Sequence, residues 1–271
     1  MMSSTLSLRW ISLALLFWVS GCAPGGLSGA VSGSEPRVDL LTESDETVGR
    51  RRARIRIELA SAYFQQGQSL VALDEIKQAL TIDPTYIDAY NLRGLVYWRL
   101  NNLPLATDSF QRALVLSPKD PDVAHNYGWL LCRQSRFEES ARYFAMALDD
   151  PGYGLAAKTW AVQGLCQLQA GRPQEAEASL LRSLQLDPDG PLAAYQLARL
   201  LFDRGDFLSA QPYLRKLNNG SLGNAESLWL GIKVEQQLNN PSAVAVLADQ
   251  LRGRFSQSRE LNAYERRAFH E

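Results

Sequence analysis

YNLRGLVYWRLNNLPLATDSFQRALVLSP, residues Tyr90 to Pro118, decides the fold. Small residues stand at Gly94, Ala106 and Ala113, Phe110 lies between the last two, and Pro118 closes the stretch. The signature recurs. Thirty-four residues back it reads Ala60, Ala72, Ile76, Ala79 and Pro84; the same step forward gives Gly128, Ser140, Phe144 and Ala147, with proline one place early at Pro151. After a two-residue insertion it continues as Gly164, Ala176, Leu180, Ser183 and Pro188, runs through Ala198, Ala210 and Leu214, and fades at Gly231, Ala243 and Leu247. A helix-turn-helix unit explains the pattern. The first helix, A, offers a small residue where the second, B, crosses it closely, and a large apolar residue fills the space between units. Gly67, Gly171 and Gly205 fall in the A–B turns, where positive φ is needed, and Asp83-Pro84 and Asp187-Pro188 end B helices.

A repeat of this length and composition is the tetratricopeptide pattern. It predicts an all-α protein, a right-handed α-solenoid of about six tetratricopeptide helix-turn-helix repeats, with units near 53–86, 87–120, 121–156, 157–190, 191–223 and 224–257. The sixth unit carries Gln250 and Phe255 where alanine and proline would stand, as a capping unit with a polar outer face would. In the fifth, Pro212 inside the B helix and the exit NNGSLG (Asn218–Gly223) predict a bend or a mobile joint.

The N-terminus reads differently. Arg9 precedes the apolar run WISLALLFWV (Trp10–Val19), which is shorter than the ~20 residues of a membrane-spanning helix and suits a signal-peptide core. Val19-Ser20-Gly21-Cys22 then resembles a bacterial lipobox, with Cys22 as the lipidated residue; an ordinary cleavable signal or a short core helix is the other reading. Ala23 is not aspartate, so the resemblance implies the outer membrane of a Gram-negative bacterium, facing the periplasm. Acyl groups there would anchor at about 0.8 kcal/mol per buried methylene. APGGLSGAVSGSEP (Ala23–Pro36) has no hydrophobic period and reads as a flexible tether. The expected layout is 1–21 leader, 22–46 lipidated cysteine and tether, 47–260 solenoid and 261–271 C-terminal tail.

Composition narrows the function. With 271 residues, a net charge of −1 and a pI near 6.2, nothing suggests nucleic acid. The two histidines, His125 and His270, are far apart, and HExxH, CxxC, P-loop, GxSxG and GxGxxG motifs are absent. No enzyme, cofactor, metal site or small-molecule substrate is expected.

In tetratricopeptide proteins the A helices line a concave groove that takes a peptide. Carried over by position, the groove residues are Ile57, Ser61 and Phe64; Asn91, Leu95 and Trp98; His125, Trp129 and Cys132; Ala161 and Leu165; and Tyr195, Arg199 and Phe202. Trp98 and Trp129 either form an exposed aromatic patch or pack against each other. His125 reads as groove wall or helix surface, with no carboxylate or second histidine spaced to assist it. In an oxidising periplasm Cys132 and Cys166, on neighbouring A helices, form either a disulfide between the third and fourth units or two buried thiols. GRRRARIR (Gly49–Arg56) is either a solvated helix face or a contact to anionic headgroups.

A lipobox, a tether and six such units resemble the type IV pilus biogenesis/stability lipoprotein, the PilF/PilW pilotin family. The likeness is strongest over Arg54–Leu100, over NYGWLLCRQSRFEESARYFAMAL (Asn126–Leu148) and in LRGRFSQSREL near the C-terminus. It implies binding of pilus secretin subunits, their delivery to the outer membrane and their multimerisation, with contact in an apolar groove of the N-terminal units at Ile57, Phe64, Leu95 and Trp98. The alternative is a general outer-membrane scaffold for barrel assembly or peptidoglycan synthase activation.

Overall fold

The computed structural model describes residues 46–269; Cys22, the leader and the tether up to residue 45 lie outside them. Among the described residues there are thirteen helices and no strand. Twelve of them form six antiparallel pairs of a right-handed α-solenoid. The pairs are α1 (Val48–Gln65) with α2 (Ser69–Ile82), α3 (Ile87–Arg99) with α4 (Leu103–Leu116), and α5 (Pro121–Arg133) with α6 (Phe137–Leu148). They continue as α7 (Ala156–Gln169) with α8 (Pro173–Leu186), α9 (Pro191–Asp203) with α10 (Phe207–Asn219), and α11 (Ala225–Gln237) with α12 (Pro241–Arg254). Each helix packs on the next, and each A helix also touches the A helix of the following pair.

The crossing within each pair is built from residues sixteen apart. A Cβ added at Gly94 would lie 2.6 Å from the Phe110 ring, at Gly128 3.0 Å from Phe144, and at Gly164 2.7 Å from Leu180. Where the A-helix residue is alanine (Ala60, Ala198), the B-helix partner is aliphatic (Ile76, Leu214), as it also is opposite Gly164, and the ring of phenylalanine is met only by glycine. These residues are almost wholly buried.

Each A–B turn contains one residue with positive φ: Gly67 (80°), Asn101 (57°), Ser135 (61°), Gly171 (74°), Gly205 (82°) and Asn239 (54°). The residue after each one donates its N–H to a carbonyl five positions back, as Gln68 to Tyr63 (2.9 Å) and Arg136 to Leu131 (2.9 Å). This left-handed stop satisfies orphan carbonyls of the A helix and reverses the backbone in three residues. Four of the six B helices then start on residues whose side chains cap the first turn (Asn102, Asp206, Asn240) or with proline within that turn, as at Pro173, whereas α2 and α6 start without either.

Three sequence expectations are corrected. Helix α1 begins at Val48, inside the expected 47–260 solenoid but ahead of the first unit's start near 53, because Thr47 caps it by accepting from the Arg50 N–H (3.1 Å). The NNGSLG exit is bonded rather than loose: Asn218 donates to Ser227 O (2.9 Å) and accepts from Ser227 Oγ (2.7 Å), while Asn224 and Ser227 close a capping box. Helix α10 runs through Pro212. Finally, 261–271 is not simply a tail. Helix α13 (Arg259–Glu265) buries Leu261 against α11 and α12, and Phe269 stacks on Trp229 at 5.4 Å between centroids. The sixth unit is therefore covered by an apolar cap rather than ending in a polar face.

Gly94→Ala tests the crossing. The substitution gains up to about 1 kcal/mol of helix propensity but overpacks a fully buried ring at a cost of about 1–3 kcal/mol. Thermal unfolding followed by circular dichroism is expected to show a lower Tm for Gly94→Ala and a smaller loss for Gly128→Ala, whose neighbour stands further off.

Candidate functional site

Small residues turn one side of each A helix toward its own B helix, so the residues three before, one after and four after them face the inner layer. On α1, α3 and α5 this register leaves Phe64, Leu95, Trp98 and Trp129 half-buried. Trp98 and Trp129 pack edge to face, 5.0 Å between centroids at 82°. Both expected arrangements coexist, because the indoles touch each other and each keeps part of its surface open. The Arg99 guanidinium lies 3.6 Å from the centroid of the Phe64 ring and donates to the Phe64 carbonyl. Leu95 leans on the cluster around Phe110 and Tyr127. Ser61 is half-buried, and Asn91 accepts a hydrogen bond from Asn126 (3.0 Å).

Four expected groove residues are closed to a ligand. Ile57 is 8% exposed and packs in the first-unit core, and His125 is 2% exposed. Further along, Ala161 is buried and Leu165 half-buried. Cys132 and Cys166 are both buried and form a disulfide with their Cα atoms 5.9 Å apart, so Cys132 offers no free thiol to the groove.

Tyr195, Arg199 and Phe202 line a cavity of about 280 Å³ with Glu226, Trp229, Lys233 and Glu260. The Lys233 ammonium lies 5.5 Å from the centroids of both Phe202 and Trp229, and burial lowers its pKa. Trp229 and Lys233 are missing from the residues inferred from sequence. The signal was present: the 34-residue step from Tyr195 and Arg199 lands on them, even though the small residue of that unit, Gly231, stands one place early.

His125 sits between units. Its Nδ1 is 2.8 Å from Thr159 Oγ1, and that hydroxyl donates to the Leu155 carbonyl (3.3 Å). The hydroxyl is thus left to accept, which assigns the proton to Nδ1. Nε2 is buried with no hydrogen-bond partner among the described residues. Burial, then the nearby Lys158 charge, lowers the pKa to about 4. The histidine is a neutral lateral tie between α5 and α7, not a groove wall.

The basic run lies on α1 with most of its charge paired. Arg50 pairs with Asp83, Arg54 with Glu46 (3.2 Å) and Glu58 (2.9 Å), and Arg56 with Glu75 (2.6 Å). Such surface pairs contribute about 0–1 kcal/mol each. Among the described residues no three His, Cys, Asp or Glu residues converge as a metal ion would require, and no helix is long and apolar enough to cross a membrane.

Six helix pairs with close small-residue crossings and an inner face of half-open aromatics define a tetratricopeptide-repeat protein, and repeat models match at residues 60–101, 87–120, 128–191 and 167–222. The type IV pilus assembly protein PilF of Pseudomonas aeruginosa is 29% identical over 241 residues, 89% of this chain and 94% of that protein. The solved structure of P. aeruginosa PilF superposes with a TM-score of 0.72, covering 81% of this chain and 99% of that one. The crystal structure of PilW, a widely conserved type IV pilus biogenesis factor, is 33% identical with a TM-score of 0.69, covering 78% and 97%. The protein belongs to the PilF/PilW family of type IV pilus biogenesis factors.

The buried imidazole makes stability depend on pH. The unfolded state takes up this proton near pH 6.5, whereas the folded state resists it down to about pH 4. Protonation therefore favours unfolding, and stability is lost as pH falls through that window, by up to roughly 3 kcal/mol. Urea titrations between neutral and mildly acid pH are expected to show this fall in the native protein and a flatter profile in His125→Gln.

Proposed function

We propose that this protein is an outer-membrane lipoprotein of type IV pilus biogenesis that binds pilus secretin subunits and promotes their outer-membrane localisation and multimerisation, the role of a pilotin. The observation that carries this reading is the 33% identity to PilW, with 97% of that protein covered. The inner face of the first three units supports it. Phe64, Leu95, Trp98 and Trp129 supply an apolar strip with rigid aromatic anchors, the composition in which a few residues dominate binding energy.

The mechanism is binding without chemistry. An exposed apolar segment of the secretin lies across the strip, excluding water from the tryptophan pair. Lipidation at Cys22 holds the complex at the membrane, and the tether lets the solenoid reach its client while keeping its effective concentration high. Recognition stands mainly on apolar contact, because the charges nearest the strip, such as Arg99, are engaged within the protein itself.

The experiment measures the heat- and detergent-resistant secretin multimer in outer membranes from wild type, a deletion strain, Cys22→Ser and Trp98→Ala/Trp129→Ala. Loss of the multimer on deletion, and its loss or mislocalisation with Cys22→Ser, is the expected result. The double tryptophan variant is expected to bind the secretin at least about tenfold more weakly while remaining folded. A multimer unchanged by deletion overturns the secretin role and leaves a scaffold for barrel assembly or peptidoglycan synthase activation.

A further inference from the structure

We propose that Asn219 is a site of spontaneous deamidation, and that the product weakens the joint between the fifth and sixth helix pairs. Asn219-Gly220 is the one Asn-Gly step in the sequence. The backbone nitrogen of Gly220 attacks Cγ of Asn219, the bond from Cγ to the amide nitrogen Nδ2 breaks, and ammonia leaves as a succinimide closes. Water then opens the ring at either carbonyl, giving aspartate, or isoaspartate with the backbone routed through the Cβ methylene. Nothing is oxidised or reduced, and water is the only co-reactant.

The local structure favours this step at residue 219. Asn219 and Gly220 are both exposed, and Gly220 brings no Cβ to block the approach. Its N–H is held only by a long bond to the Leu217 carbonyl (3.3 Å), and Asn219 is the last residue of α10, with no further helical turn to hold it. Asn218 is the internal contrast. It is 2% exposed, its amide is bonded at both ends to Ser227, and the residue after it has a Cβ.

The position gives the reaction its consequence. Asn219 lines a cavity of about 430 Å³ between α10, α11 and α12, together with Arg215 and Glu235. Glu235 is 2% exposed and ties the three helices: Arg215 Nε donates to it (2.8 Å), as do Gln211 (2.9 Å) and Asn240 (2.9 Å). A carboxylate at 219 stands one helical turn beyond Arg215 and competes with Glu235 for the guanidinium. It also places negative charge at the C-terminal end of α10, where the helix dipole disfavours it. Isoaspartate adds a methylene to backbone anchored on either side by the buried Asn218 and Gly223.

The test incubates the purified full-length protein in mildly alkaline buffer and follows the tryptic peptide Leu217–Lys233 by fragment-resolved mass spectrometry, with the isolated peptide as control. A gain of one mass unit located at residue 219, with Asn218 intact and the gain abolished in Gly220→Ala, is the expected result. An intact Asn219 in the folded protein while the isolated peptide deamidates overturns the proposal. The joint is read separately: Asn219→Asp is expected to lower Tm by about 1–4 °C, and an unchanged Tm removes the proposed consequence.

Discussion

Where α3 and α4 cross, the Phe110 ring lies against the α-carbon of Gly94 with no room for a methyl group. That approach, repeated with Gly128 and Phe144 and with Gly164 and Leu180, sets how closely the two helices of a pair can lie. Everything outward depends on it. Close pairs present a flat apolar flank on which the next A helix can stack, and the rotation between successive pairs follows from the shape of that flank. A larger A-helix residue would separate the helices and tilt every later unit, so the position is held to glycine or alanine at Ala60, Gly94, Gly128, Gly164 and Ala198.

Translation by one unit also decides which residues meet. His125 reaches Thr159 and Cys132 reaches Cys166, each separated by 34 residues, while Asn126 reaches Asn91 and Arg99 reaches Phe64 at a separation of 35. The pairs at 35 join adjacent repeat positions, whereas those at 34 span the two-residue insertion and join positions two apart in the repeat. The binding face and the stacking face of an A helix are therefore drawn from the same few positions. Trp98 and Trp129 illustrate the compromise, since the contact that orients the two indoles also consumes part of the surface they could offer.

The fold was legible because close helix crossings demand small residues at fixed intervals, and Gly94, Gly128 and Gly164 announce them. Half of the A–B turns were equally open to reading at Gly67, Gly171 and Gly205, but Asn101, Ser135 and Asn239 adopt the same left-handed geometry without the glycine that advertises it. The groove was less legible. Phase around a helix fixes which side a residue takes, but the depth of that side depends on what the neighbouring unit places over it, and so Ile57 and His125 share the register of Asn91 yet are buried. Helix α13 lay outside any repeat and is short, and its anchors, Leu261 and Phe269, become meaningful only beside Trp229.

The disulfide between α5 and α7 has a mechanical side. A protein pulled from its two ends lengthens as each unit unravels, every freed residue adding about 3.3–3.6 Å of contour. The span from Cys132 to Cys166, 34 residues of separation, is closed off from that extension, so about 110–120 Å of contour stays out of the line of force even after its helices have melted. Load passes through the sulfur bridge instead, directly from the third pair to the fourth. The middle of the solenoid is thereby a short, inextensible link between two stretchable ends.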